Sequence, residues 1–288
     1  MRCIKLYFVS KLRCYRKVFF SGFSILIFFF LLTSFASFRI SSCSMEPSIL
    51  SGENVIVLKW ALGGRLYNPF SSHEIKRMEI YRFPSLGKLR HNDIIVFNHP
   101  IIGKNKNKHI GLNIGKYYVK RVIALPGDTF QIKRAIFKTS GVDGWVGNVA
   151  SQMYLNKINS SAINSRMLKA FNGTIFDIPP IVIPKRGTVI TMNSKNFNIY
   201  KSVIQWENDT QRFWSNKGKV FIGHKEIKRY EFKENYYFVA GDNLIQSKDS
   251  RYWGLLPEKF IVGKAYMICY SQNNYTKEIR WERFFKLL

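Results

Sequence analysis

Three short stretches gather hydroxyl, amine and carboxylate side chains at spacings that could do chemistry. The first reads Ser42-Cys43-Ser44-Met45-Glu46-Pro47-Ser48. In extended backbone, side chains two apart point the same way. Ser42 and Ser44 can therefore face one site, one attacking while the other donates a hydrogen bond; a polar turn is the plainer alternative. The second, Tyr118-Val119-Lys120-Arg121-Val122-Ile123-Ala124-Leu125-Pro126-Gly127-Asp128, ends a β-like run in a Pro-Gly-Asp turn. Neighbours on a strand face opposite sides, so one of Lys120 and Arg121 points inward. A buried lysine gives up its proton more readily and can act as a general base. The alternative is an exposed basic pair guarding an edge strand. The third stretch, Gly241-Asp242-Asn243-Leu244-Ile245-Gln246-Ser247-Lys248-Asp249-Ser250-Arg251-Tyr252-Trp253-Gly254, mixes hydroxyls with an Asp/Arg pair. It is either part of a site or a loop held by Asp249 and Arg251.

Other chemistries find little support. Ser85-Leu86-Gly87-Lys88 matches the SxxK pattern of penicillin-binding enzymes, but no Ser-Asp-Asn or Lys-Thr-Gly follows. The five histidines (His73, His91, His99, His109, His224) have no GxSxG elbow to serve. No HExxH or CxxC occurs, and Gly111-Leu112-Asn113-Ile114-Gly115-Lys116 is too short for a phosphate loop and lacks the Ser/Thr. Neither a metal nor a cofactor is expected.

The elements that must position these groups begin with Val18 to Phe38, 21 residues without a charge. As a helix they match a hydrocarbon core about 30 Å thick, and the run exceeds a signal-peptide core. Arg2, Lys5, Lys11, Arg13, Arg16 and Lys17 precede it with no acid. This predicts a basic cytoplasmic tail over residues 1–17, a single anchor over 18–38 and an external remainder. The whole chain has 45 Lys and Arg against 18 Asp and Glu, a net charge of +27. An anionic partner follows, and the neighbouring anchor points to anionic lipid rather than nucleic acid. Of the four cysteines, Cys3 and Cys14 would be reduced inside the cell. Cys43 and Cys269 lie outside, Cys43 as a free thiol turned from its neighbouring serines.

Beyond the anchor, β-like runs dominate: Asn54–Leu58, Asp93–Phe97, Tyr117–Ile123, Ile181–Ile183, Tyr236–Ala240 and Val262–Tyr270. Weak helical periodicity covers only Asn68–Arg82 and Asn164–Ala170. The expected fold is mostly β, an N-terminal transmembrane helix followed by an antiparallel β catalytic domain. Residues 131–235, rich in Asn, Lys, Ser and Gly, read as a cap subdomain inserted between core halves 39–130 and 236–288.

In this order the three blocks, with the strand Arg90-His91-Asn92-Asp93-Ile94-Ile95-Val96-Phe97, resemble bacterial signal peptidase I, the membrane-anchored leader peptidase with a Ser/Lys dyad. The resemblance covers residues about 18–130 and 236–270. It implies that Ser44 is the nucleophile, Lys120 the general base, and Ser42 the hydroxyl completing an oxyanion hole beside the Ser44 N–H. It implies further that Ser247 orients the lysine and that Asp249 and Arg251 form a supporting ion pair, which Arg121 could join. Gly241 and Asp242 match the turn that opens the last block. The implied protein is a serine endopeptidase on the outer face of the inner membrane, cutting signal peptides from secretory preproteins at small-x-small sites; the sequence does not give its oligomeric state, and a monomer is the default. A conjugative-transfer peptidase of the same clan and a basic membrane-anchored binding protein are the alternatives. Departures are Leu244-Ile245-Gln246 in the last block, Ala124 where Gly often stands, and His91-Asn92 in place of Arg-Gly.

Overall fold

The computed structural model describes residues 24, 34–67, 80–85, 87–102, 109–158, 168, 171 and 173–288. Six strands come first: β1 (Phe35–Arg39), β2 (Glu53–Leu58), β3 (Arg65–Tyr67), β4 (Ile80–Arg82), β5 (Ile94–Ile102) and β6 (His109–Ala124). Eight short strands follow: β7 (Thr129–Lys133), β8 (Ile136–Thr139), β9 (Ile178–Val182), β10 (Val189–Thr191), β11 (Phe213–Asn216), β12 (Lys219–Ile222), β13 (Lys225–Glu226) and β14 (Arg229–Glu231). The chain then returns with β15 (Tyr236–Ala240), β16 (Leu256–Pro257), β17 (Ile261–Ser271) and β18 (Lys286–Leu287).

An eight-stranded sheet in the order β1-β2-β17-β5-β6-β15-β16, with β18 on β17, is the frame of the molecule. Its pairings are antiparallel, so the mostly β antiparallel expectation holds. Sequence alternation sets the two faces. Ile94 and Val96 enter one buried cluster with Val55, Val57 and Val119, while Ile95 and Phe97 enter the other. The sheet curls strongly: the rings of Phe38 of β1 and Tyr117 of β6 pack at a tilt with centroids 4.9 Å apart, though three strands separate them in the sheet order. That curl brings the turn after β1 to β6.

The anchor expectation needs correction at its C-terminal end. Phe35–Arg39 is a strand paired with β2, in register from Phe35↔Leu58 to Arg39↔Asn54. Absence of charge does not distinguish an apolar helix from an edge strand, and here exposed and half-buried positions alternate. Residues 18–33, apart from Ser24, lie outside the described residues, as does the tail. Among the described residues no helix is long and apolar enough to cross a membrane. The helix expected over Asn68–Arg82 ends instead in strand β4, and its first part lies outside the described residues. Of Asn164–Ala170 only Leu168 is described, in an isolated bridge to Gly173.

Two helices were not anticipated, Val149–Lys157 and Ser194–Glu207, each capped by an asparagine side chain, Asn148 and Asn193. The second buries Phe197, Tyr200, Val203 and Ile204, spaced for one helical face. Side chains of residues 131–235 share one buried cluster with the sheet. Phe130 and Phe171 lie 4.1 and 5.9 Å from the ring of Phe238, and Trp206 meets Phe260 at 5.5 Å.

Candidate active site

The turn after β1 carries the two serines. Its inner side is held by Met45 and Ile49, both buried against Val55, Val57 and Val119. The Glu46 N–H donates to Cys43 O and the Ile49 N–H to Met45 O, closing the turn at 3.1 and 3.0 Å. Ser44 is thereby turned from the core toward β6. There the Lys120 ammonium donates to Ser44 Oγ at 2.7 Å and to Val119 O at 2.8 Å. Ser42 Oγ stands 3.3 Å from Ser44 Oγ. Among the described residues the Ser44 N–H donates to no other group, whereas Ser44 O accepts from the Asn243 N–H at 3.1 Å.

Lys120 is only 2% exposed. Burial lowers its pKa from 10.5 to about 8, against the opposing pull of Asp249 and Asp242. The Tyr118 ring lies 5.7 Å from its Nζ. A cation taken from water favours its neutral form. Burial thus makes the amine easier to deprotonate while it stays in hydrogen-bond contact with a hydroxyl.

The loop after β15 buttresses this contact. Asp249, fully buried, accepts from the Gly241 N–H at 2.9 Å and from Arg251 Nε and Nη2 at 2.8 and 2.9 Å. Burial alone would raise the Asp249 pKa, but the Arg251 charge and these hydrogen bonds outweigh it and hold it below 3.8. Arg251 also donates to Leu244 O at 2.8 Å. Gly241 permits the docking: a Cβ there would lie 2.4 Å from Ser44 O and 2.3 Å from Ser247 Oγ. A backbone carbonyl at that range leaves no room for any other residue.

A serine hydroxyl in hydrogen-bond contact with a buried lysine suits nucleophilic catalysis. The family described as signal peptidase, peptidase S26, matches residues 15–270. The chain belongs to the S26 signal peptidases. Similar to it are the signal peptidase I of Buchnera aphidicola subsp. Baizongia pistaciae, 31% identical over 278 residues and covering 92% of this chain and 79% of that one. That of Aquifex aeolicus is 26% identical over 239 residues, covering 82% and 75%. That of Pseudomonas aeruginosa is 26% identical over 263 residues, covering 87% and 71%. This S26 signal peptidase is thus a serine endopeptidase that removes signal peptides from secretory preproteins.

Within the S26 frame the expected residues converge, with two exceptions. Ser44, Lys120 and Ser42 meet, and Asp249 pairs with Arg251. Arg121 does not join that pair. It is held by Asp242 instead, Nε to Oδ1 at 2.7 Å and Nη2 to Oδ2 at 2.6 Å, because it points to the opposite side of β6 from Lys120. Ser247 is buried beside Asp249, and among the described residues its Oγ makes no hydrogen bond to Lys120, whose ammonium is taken by Ser44 and Val119 O. Asn92 fits its turn for a simple reason. Its φ is 70°, a left-handed conformation that asparagine tolerates, and its carbonyl accepts from Arg121 Nη1 at 2.7 Å. Ser85 and Lys88 line a different cavity, with Leu62, Tyr237 and Glu258. Cys43 and Cys269 are both free thiols; Cys43 Sγ contacts Gln246 Oε1 at 2.8 Å.

Proposed function

We propose that Ser44 is the nucleophile of this signal peptidase and Lys120 its general base. Neutral Lys120 accepts the Ser44 proton as Oγ attacks the scissile carbonyl. The developing oxyanion receives the Ser44 N–H and the Ser42 hydroxyl. One such donor is worth about 10²–10³ in rate. The lysine ammonium protonates the leaving amine, and water, again deprotonated by Lys120, releases the acyl-enzyme. Ser247 and the Asp249–Arg251 pair support the loop behind the dyad. The preprotein lies as an added strand beside the Ser44 segment, cleaved after small-x-small sequences. The 2.7 Å contact between Lys120 Nζ and Ser44 Oγ carries this reading.

Detergent-solubilised full chain with an Ala-x-Ala preprotein tests it. Wild type yields the product of the expected mass, and Ser44→Ala loses activity by about 10³-fold or more. Equal cleavage by wild type and Ser44→Ala would sink the assignment.

We further propose a monomer with a cytoplasmic basic tail over residues 1–17 and a single membrane span within the uncharged run. Residues 39–130 and 236–288 form an external catalytic core, and 131–235 a cap on it. Anionic lipid is its second partner. Exposed Trp281, Phe285 and Leu287 beside Lys286 support contact with a lipid surface. A membrane-impermeant maleimide applied to intact spheroplasts distinguishes the topologies: Cys43 and Cys269 react, Cys3 and Cys14 do not. Labelling of Cys3 or Cys14 before lysis would refute it.

A further inference from the structure

Ser48 lies four residues beyond Ser44 in the same turn, and two arginines from distant parts of the chain hold it. Arg121 Nη2 donates to Ser48 Oγ at 3.1 Å while its fork engages Asp242. Arg283 Nη2 donates to Ser48 O at 2.9 Å. The same guanidinium grips both carboxylate oxygens of Glu53, at 2.6 and 2.9 Å. Glu53 is fully buried and also accepts from the Leu50 N–H at 2.8 Å and Ser271 Oγ at 2.9 Å. Arg283 itself is fixed by the C-terminal segment, where β18 pairs with β17 and the Leu288 N–H donates to Tyr266 O at 3.0 Å.

We propose that the Arg283–Glu53 and Arg121–Asp242 pairs form a two-sided clamp on Ser48 that positions the Ser44 turn against Lys120. The C-terminal segment is thereby part of the active-site support. Met45 and Ile49 fasten the inner side of the turn to the core, and the clamp holds Ser48 from two further sides. A planar fork suits the task, because it can bind a carboxylate and a neighbouring carbonyl at once. Arg283 and Arg121 are positioning residues in this arrangement and touch no substrate. The proposal rests on Ser44 and Lys120 being the reacting pair.

Kinetics of the full chain in detergent on a small-x-small peptide provide the test. Arg283→Lys keeps a cation beside Glu53 but removes the second donor. Its kcat is expected to fall about tenfold to a hundredfold, the effect of a displacement near 1 Å, with KM little changed. The acid limb of kcat/KM should also move above the midpoint of about 8 expected for wild type, as water reaches Lys120. The double variant Arg283→Met/Glu53→Gln leaves no buried charge unpaired, so it retains the fold, and its kcat should remain low. Wild-type kcat with an unmoved acid limb in either variant would overturn the clamp, whatever happens to thermal stability. Ser44→Ala, run alongside, separates the two claims. If it still cleaves, the dyad reading fails and takes the clamp with it. If it is dead while Arg283→Lys is fully active, the clamp alone is wrong.

Discussion

Cleavage should switch on as pH rises from about 7 to about 9, with a midpoint at about 8, and Lys120→Met should abolish both the activity and the titration. The base must be neutral to take the Ser44 proton, and burial brings its pKa down to that midpoint. Loss of a general base typically removes about 10²–10⁴ in rate. The same burial makes a stability prediction of opposite sign. Below about 8 the folded protein holds a charged lysine in a poor environment. A downward shift from 10.5 to about 8 corresponds to a penalty of about 3 kcal/mol. Between the two values the unfolded chain binds the extra proton, so wild-type stability rises with pH across that window. Methionine, similar in volume and uncharged, removes the penalty but also two hydrogen bonds of about 1 kcal/mol each. Lys120→Met should therefore be about 1 kcal/mol more stable than wild type at neutral pH, and lose that advantage near pH 10. Urea midpoints at the two pH values check this; a variant less stable at neutral pH would show that the lysine is not held against a burial cost.

Removing Arg251 should cost more stability than any surface change. Arg251→Met leaves the Asp249 carboxylate fully buried without its cation, a situation worth about 3–5 kcal/mol. The effect should reach the dyad. Asp249 holds the Gly241 N–H and the Arg251 guanidinium holds Leu244 O, and between them Asn243 secures Ser44 O. Activity should fall with stability, and Asp249→Asn combined with Arg251→Met should recover much of the stability by removing the orphaned charge. Because Asp249 titrates below 3.8 in the fold, the pair contributes fully above that value and fails only in acid. Urea unfolding near pH 7 reads the difference; a loss under about 1 kcal/mol would mean that water, rather than Arg251, satisfies the carboxylate.

The strands and the proposed site residues are legible because their signals are local. The β-branched and aromatic runs Asn54–Leu58 and Tyr236–Ala240 declare sheet, and Ser42-x-Ser44 and the basic pair before Pro126 point to chemistry. The helix Ser194–Glu207 also had a local signal, its Asn193 cap with Phe197, Tyr200, Val203 and Ile204, but it lies inside a polar segment whose composition masked it. The end of the uncharged run was misjudged for a different reason. Residues Phe35 to Phe38 are apolar enough for a helix, and only their pairing with β2 makes them a strand.

By itself the sequence determined the residue types at the site, the mostly β character of the chain and the family to which its motifs point. Partnership was decided by the tertiary structure. Arg121 could have met Asp249 or Asp242, and Ser247 could have reached Lys120. Strand register and the curl of the sheet gave Arg121 to Asp242, kept Ser247 from Lys120 and brought Arg283 to Ser48. A one-residue slip in a strand exchanges its two faces. Contacts between residues 76 or 235 positions apart, such as Lys120 with Ser44 and Arg283 with Ser48, therefore depend on the whole sheet rather than on any segment of it.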